Sequence, residues 1–213
     1  MLLILDFDYT LFNTALLKKA LQQALRKHGV SDELFLSSME ESKGGGRDYK
    51  PDRQFEILQA RGIWNVSDLR RSFNEVLGNS HIFLYDDTIS FLANMKPRHA
   101  LTLLTYGEDA FQNAKINGCG TLAQFFEKVV ITQNILKDKE AKSLSENKKA
   151  VFVDDNPAAL FAAKKYAPHI VSVRMKRGEG PYNNEASGEG VDCEVKDLEE
   201  LVKIIEAQNN KQS

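Results

Sequence analysis

Short apolar runs recur along the chain at residues 2–5, 100–104, 128–131, 150–153 and 170–173, and helical patterns separate most of them. Runs of four or five mostly β-branched and leucine positions, bounded by polar residues, fit strands buried on both faces. Strands that alternate with amphipathic helices predict an α/β fold, a Rossmann-like parallel sheet with covering helices. Its connections are expected to be right-handed crossovers.

One interval breaks this rhythm. Roughly ninety residues separate the first two runs, where a βαβ crossover needs about a dozen or more. The interval is strongly helical. Leu16, Leu17, Ala20, Leu21, Ala24 and Leu25 share a face, and Gly29 offers a stop. A second helix is expected over 53–60, ending at Gly62. A third is expected after Ser67 as N-cap, with Leu69, Phe73, Val76 and Leu77 on one side. These apolar faces predict a small α-helical cap inserted after the first strand, at residues 14–85. Residues 1–13 and 86–213 are then the α/β core. Within the insert, Ser42-Lys-Gly-Gly-Gly-Arg47-Asp-Tyr-Lys50-Pro51 reads as a flexible basic loop. It is either a solvated linker or a mobile loop that reaches the active site and selects substrate through Arg47, Lys50 and Arg53. Trp64 and the phenylalanines are expected to pack in the core or the cap.

Toward the carboxyl end, residues 178–190 are rich in Gly and Asn and read as a loop. Arg177, at its start, is expected on the surface, with contact to substrate as the alternative. A terminal helix is expected over 197–207 with Leu198, Leu201, Val202 and Ile205 inward, and residues 208–213 are expected to fray.

Charge and composition narrow the classes. The chain has 213 residues, enough for one full core with or without a small accessory domain. With 28 basic and 30 acidic residues and a net charge of −2, nothing marks a general nucleic-acid binder. No apolar run approaches the ~20 residues of a membrane span, and 2–5 is too short for a signal peptide. Cys119 and Cys193 lack metal-ligand spacing and are expected to be reduced thiols in a cytoplasmic protein.

The chemistry begins where the first apolar run stops, at Asp6-Phe-Asp8-Tyr-Thr10. Carboxylates at the end of a buried strand are costly unless something cationic joins them. In open α/β sheets that end is where ligands bind. Three further pieces follow in order: Leu103-Leu104-Thr105-Tyr106-Gly107, a lysine group at Lys137, Lys139 and Lys142, and Val151-Phe-Val-Asp154-Asp155-Asn156-Pro157. All are expected to converge on one edge of the sheet. Each suits phosphoryl transfer. A carboxylate can attack phosphorus, and a second can protonate the leaving oxygen and then activate water. A hydroxyl and backbone N–H groups can hold phosphoryl oxygens, and a lysine can offset developing charge. Asp6, Asp8, Asp154 and Asp155 would repel one another without a cation, and an oxygen-only site suits Mg²⁺. Taken singly, Asp155 also fits an N-cap ahead of Pro157, and Thr105 an ordinary strand-end hydroxyl.

The order and identity of these pieces resemble the haloacid dehalogenase superfamily, phosphatase type, over nearly the whole chain, with the insert similar to that family's small helical cap. The resemblance implies that Asp6 is the nucleophile and Asp8 the general acid/base, whose backbone carbonyl joins the Mg²⁺ shell. It implies phosphate binding by Thr105, helped by backbone N–H groups near Tyr106 and Gly107. Asp154 would be the main distal metal ligand, with Asp155 direct or through water. The active-site lysine is Lys137, which sets Ala141 and Leu144 inward at +4 and +7, or Lys139, nearer the helix start. Where the family commonly has glycine after the second aspartate, this chain has Tyr9, which fits if φ is negative there; otherwise the local turn differs.

The expected function is a Mg²⁺-dependent phosphatase acting on a small phosphorylated metabolite, as a monomer or homodimer. A phosphomutase shares the same motifs. A signalling receiver domain would carry its aspartate on a middle strand, but the run at 128–131 ends in Thr132-Gln133. A non-catalytic phosphate-binding module is the third reading.

Overall fold

The computed structural model describes residues 1–146 and 148–210. The chain forms two compact units. The first contains Met1–Thr14, Leu84–Tyr106 and the described residues from Thr121 on; the second contains Ala15–Phe83 and Gly107–Gly120.

The first unit is built on a six-stranded sheet of β1 (Leu2–Leu5), β2 (Ala100–Tyr106), β3 (Lys128–Thr132), β4 (Ala150–Asp154), β5 (Val171–Met175) and β6 (Cys193–Val195). The order is β3-β2-β1-β4-β5-β6 and every pairing is parallel. This is an α/β Rossmann-like sheet, as the alternating runs predict. All residues of β1 and β4 are buried, which is why those runs are continuously apolar rather than alternating. Leu2, Ile4, Leu104, Phe152, Leu160, Ala163 and Ile170 form one core cluster with Ala141. The strand order reverses between β1 and β4, and the crevice at the carboxyl ends of such neighbours is where ligands bind in these sheets.

The helices of the chain are α1 (Thr14–Arg26), α2 (Asp32–Ser42), α3 (Pro51–Ala60), α4 (Val66–Gly78), α5 (Thr88–Met95), α6 (Asp109–Gly118), α7 (Asp138–Ser145), α8 (Pro157–Tyr166) and α9 (Leu198–Asn210). In the first unit α8 packs on β4, β5 and α7, and α5 packs on α9. None of the described helices is long and apolar enough to cross a membrane.

The second unit is helical. It holds α2 to α4, the body of α1 and also α6, which follows β2 and packs on α4. Phe35, Phe55, Leu58, Leu69, Phe73 and Leu77 are buried. Trp64 departs from expectation, being 80% exposed. It lies in the turn after Gly62, which has φ +92°, outside the inward stripes of α3 and α4. Helix α4 starts before Ser67, with Asn65 as its N-cap residue. Residues 208–210 continue α9 instead of fraying; the rest of the tail expected to fray, 211–213, lies outside the described residues.

Candidate active site

The site is assembled by four strand ends in the first unit. β1 stops at Leu5 and hands the chain to a tight loop. In that loop the carbonyl of Phe7 accepts from the N–H groups of Thr10, Leu11 and Phe12 at 3.3, 2.9 and 3.0 Å. The Phe7 and Phe12 rings stack beneath it, 4.7 Å apart. Tyr9 has φ +58°, so of the two readings left open for it the different local turn is the one found. The turn needs a left-handed residue there, a conformation usually left to glycine. The Tyr9 ring is accommodated by Gly180, where an added Cβ would come within 3.0 Å of it.

This loop leaves Asp6 buried and Asp8 half-buried. Asp6 Oδ2 accepts from the Thr10 hydroxyl at 3.2 Å. Its other oxygen meets Lys137 Nζ at 2.5 Å, and the same ammonium reaches Asp154 Oδ2 at 2.8 Å. Asp8 accepts a hydrogen bond from the Thr14 hydroxyl.

Asp154 is the last residue of β4, and its Oδ1 accepts from the Asn156 N–H at 2.8 Å. Helix α8 is capped by Asn156, whose side chain accepts from Ala158 N at 3.0 Å, with Pro157 next. Asp155 is thus not the N-cap and is left to the site. Carboxylate oxygens of Asp6, Asp154 and Asp155 lie within 4.8 Å of one another.

Lys137 precedes α7 in a left-handed conformation, φ +53°, and is 4% exposed. Lys139 is exposed and lines a different surface groove with Lys142 and Lys149. The structure therefore brings Lys137, and not Lys139, to Asp6 and Asp154. Thr105 is buried near the end of β2, and its hydroxyl has no hydrogen-bond partner among the described residues. Tyr106 ends the strand half-buried. Gly107 follows with φ +145°, where a Cβ would strike the Gln112 side chain at 2.7 Å; it groups with the helical unit.

Electrostatics in this cluster are unbalanced. Burial, opposed by Lys137 and reinforced by Asp154, pushes the Asp6 carboxyl up to about 7. Burial, then Asp6 and Asp154, hold the Asp155 carboxyl well above its ordinary range. Lys137 moves the other way. Burial works against its charge, but Asp154 and Asp6 outweigh it and raise its affinity for the proton. One ammonium pairs with two of the three carboxylates, so the group is short of positive charge. Tyr9 is pushed up to about 12 by burial, then by Asp8, Asp155 and Glu179. Three acidic oxygens within 4.8 Å of one another suit a hard divalent cation such as Mg²⁺, and the unpartnered Thr105 hydroxyl suits an anionic oxygen. The residues present fit both.

Arg177 is not a surface residue. Its side chain is 7% exposed and reaches the Thr10 carbonyl at 2.9 Å. The signal in the sequence was only its place two residues beyond a buried strand end.

No family model and no curated protein matches this chain. Solved structures do. A haloacid dehalogenase-like hydrolase from Burkholderia xenovorans superposes with a TM-score of 0.71 at 21% identity, over 95% of each chain. The HAD-hydrolase YfnB from Bacillus subtilis, bound to magnesium, gives 0.67 at 14% identity, over 95% of this chain and 97% of that one. The L-2-haloacid dehalogenase from Xanthobacter autotrophicus gives 0.63 at 16% identity, over 96% and 98%. The chain thus has the fold of the haloacid dehalogenase-like hydrolases.

Proposed function

We propose that the protein is a Mg²⁺-dependent phosphatase that hydrolyses a small phosphorylated metabolite through an aspartyl-phosphate. Asp8 is the observation that carries this reading. It sits two residues beyond Asp6, half-buried, its side chain held by Thr14. A phosphate ester needs an acid for its leaving oxygen, whereas carbon–halogen cleavage does not.

In this reading an Asp6 oxygen attacks phosphorus, and the bond from phosphorus to the ester oxygen breaks. Asp8 gives its proton to that oxygen, and the alcohol leaves. Asp8 then takes a proton from water, whose oxygen attacks phosphorus and frees Asp6 and inorganic phosphate. Lys137 keeps Asp6 oriented and offsets negative charge as the phosphoryl group transfers. The Thr105 hydroxyl donates to a phosphoryl oxygen. Asp6, Asp154 and Asp155, with the backbone of Asp8, would hold the cation, which supplies charge neutralisation at the phosphoryl oxygens.

Release of inorganic phosphate from p-nitrophenyl phosphate and a panel of sugar phosphates, with Mg²⁺ and with EDTA, tests this. Turnover should require the metal and vanish in Asp6→Asn. Asp8→Asn should slow alkyl esters far more than the nitrophenyl ester, whose leaving group needs little protonation. Chloride release from a 2-chloro acid without phosphate release would instead place the chemistry at carbon.

A further inference from the structure

Arg177 connects three segments of the first unit. It lies two residues past the end of β5, and its guanidinium uses both of its edges. On one edge Nε and Nη2 both donate to the Thr10 carbonyl, at 3.2 and 2.9 Å. On the other, Nη1 and Nη2 donate to the two oxygens of Asp87 at 2.7 and 2.9 Å, a bidentate pair. Asp87 precedes α5, and its Oδ2 also accepts from the N–H of Leu198, the first residue of α9, at 2.9 Å. The face of the guanidinium lies over Tyr85, 4.2 Å from the ring centre. Only a planar, five-donor group can meet these demands together.

The residue this clamp grips is the one whose hydroxyl orients Asp6. Thr10 donates to Asp6 Oδ2, while its carbonyl is held by Arg177. The neighbouring carbonyl, Leu11, is held by the Thr88 hydroxyl at 2.8 Å and the Tyr85 N–H at 3.1 Å. Glu179, two residues past Arg177, accepts from Asn13 Nδ2 at 2.7 Å and from the Tyr85 hydroxyl at 2.9 Å. The loop from Asp6 to Asn13 is therefore fixed along its length by side chains from distant parts of the chain. It contains a left-handed tyrosine, a conformation that persists only where surroundings determine it.

We infer that Arg177 is a positioning residue for the Asp6–Thr10 loop, setting the direction of the Asp6 carboxylate through the Thr10 carbonyl and hydroxyl. Its bearing on turnover rests on the phosphatase reading; its bearing on the loop does not. The guanidinium donors go to Thr10 and Asp87, so Arg177 acts on the reaction through Thr10.

Hydrogen exchange of the full chain, wild type beside Arg177→Ala and Arg177→Lys, tests the loop directly. The amides of residues 9–12 should exchange at least tenfold faster in Arg177→Ala, with those of α8 unchanged. Arg177→Lys should resemble Arg177→Ala, because one ammonium cannot present two parallel donors to Thr10 while pairing both Asp87 oxygens. Millimolar ethylguanidinium should restore protection to Arg177→Ala but not to Arg177→Lys, whose side chain fills the space. In phosphatase assays the same variants should lose tenfold to a hundredfold in kcat with KM within about twofold, the scale expected for a displaced reacting group. Ethylguanidinium should recover part of the kcat lost in Arg177→Ala. Unchanged exchange at 9–12, or acceleration spread evenly over the first unit, would overturn the inference. If the wild type turns over no phosphate ester, the phosphatase reading fails and exchange alone decides the role of Arg177.

Discussion

Thr105 shows at one residue how a site can be built at the expense of the fold. A buried hydroxyl without a partner costs about 1–3 kcal/mol relative to one that is paired, and Thr105 Oγ1 is such a group. Valine has nearly the same shape and no hydroxyl. Thr105→Val should leave the melting temperature equal or higher, while lowering kcat/KM for phosphate esters by tenfold to a hundredfold through loss of one donor to the phosphoryl group. A lower melting temperature with unchanged kinetics would return Thr105 to a packing role. Residues also differ in how plainly the sequence discloses them. Asp6, Asp8 and Asp154 were legible because a carboxylate at the end of a buried apolar run is costly unless a cation or a ligand meets it. The choice between Lys137 and Lys139 was not. It turns on a left-handed residue at the start of α7, which spacing does not encode. The turn at Tyr9 was left open for a related reason, since a positive φ in a bulky residue is chosen by its surroundings, here Gly180.

Among elements, the buried strands and the edge strand β3 were readable, and the opposite edge was not. β6 has three residues with Glu194 exposed between Cys193 and Val195, too short for a pattern. Helix α2 was hidden by its serines. Its inward positions are Phe35, Ser38 and Ser42, a face that looks polar in sequence. Ser38 and Ser42 are buried because each hydroxyl donates to a carbonyl three residues back, at 3.1 and 2.7 Å. Its real signal was the Ser31 N-cap, accepting from Leu34 N at 3.2 Å. Helix α6 reads as an ordinary crossover helix, yet it groups with the helical unit. Gly118 at its end accounts for the close packing on α4, because a Cβ there would lie 1.8 Å from the Leu77 carbonyl oxygen. Helix propensity alone would make Gly118→Ala stabilising by about 1 kcal/mol. Overpacking against a backbone atom should instead destabilise by about 1–3 kcal/mol, seen as a lower melting temperature. A gain in stability would mean that α4 and α6 do not approach so closely.

At the scale of the whole molecule, the candidate site is a local concentration of acidic groups. The net charge is only −2 over 213 residues. Buried Asp6 and Asp154 and half-buried Asp155 crowd one group, with Lys137 as the cation between the first two. Lys137 and the Asn156 N–H hold Asp154, and Lys137 and Thr10 hold Asp6. Asp155 is raised most by burial and then by its two acidic neighbours, so it contributes repulsion to the metal-free fold. Removing its charge should therefore stabilise the protein when no metal is present, and cost the site part of its affinity for a divalent cation. Asp155→Asn should melt higher than the wild type in EDTA. If Mg²⁺ binds as proposed, it should stabilise the wild type by mass action, by about 2.7 kcal/mol at a hundred times its dissociation constant, and that shift should shrink in the variant. The two melting curves should thus approach one another as Mg²⁺ is added, and cross if the cation is bound mainly by the carboxylates. Equal Mg²⁺ shifts in both proteins would remove Asp155 from the metal's surroundings and leave its half-buried carboxylate without a function.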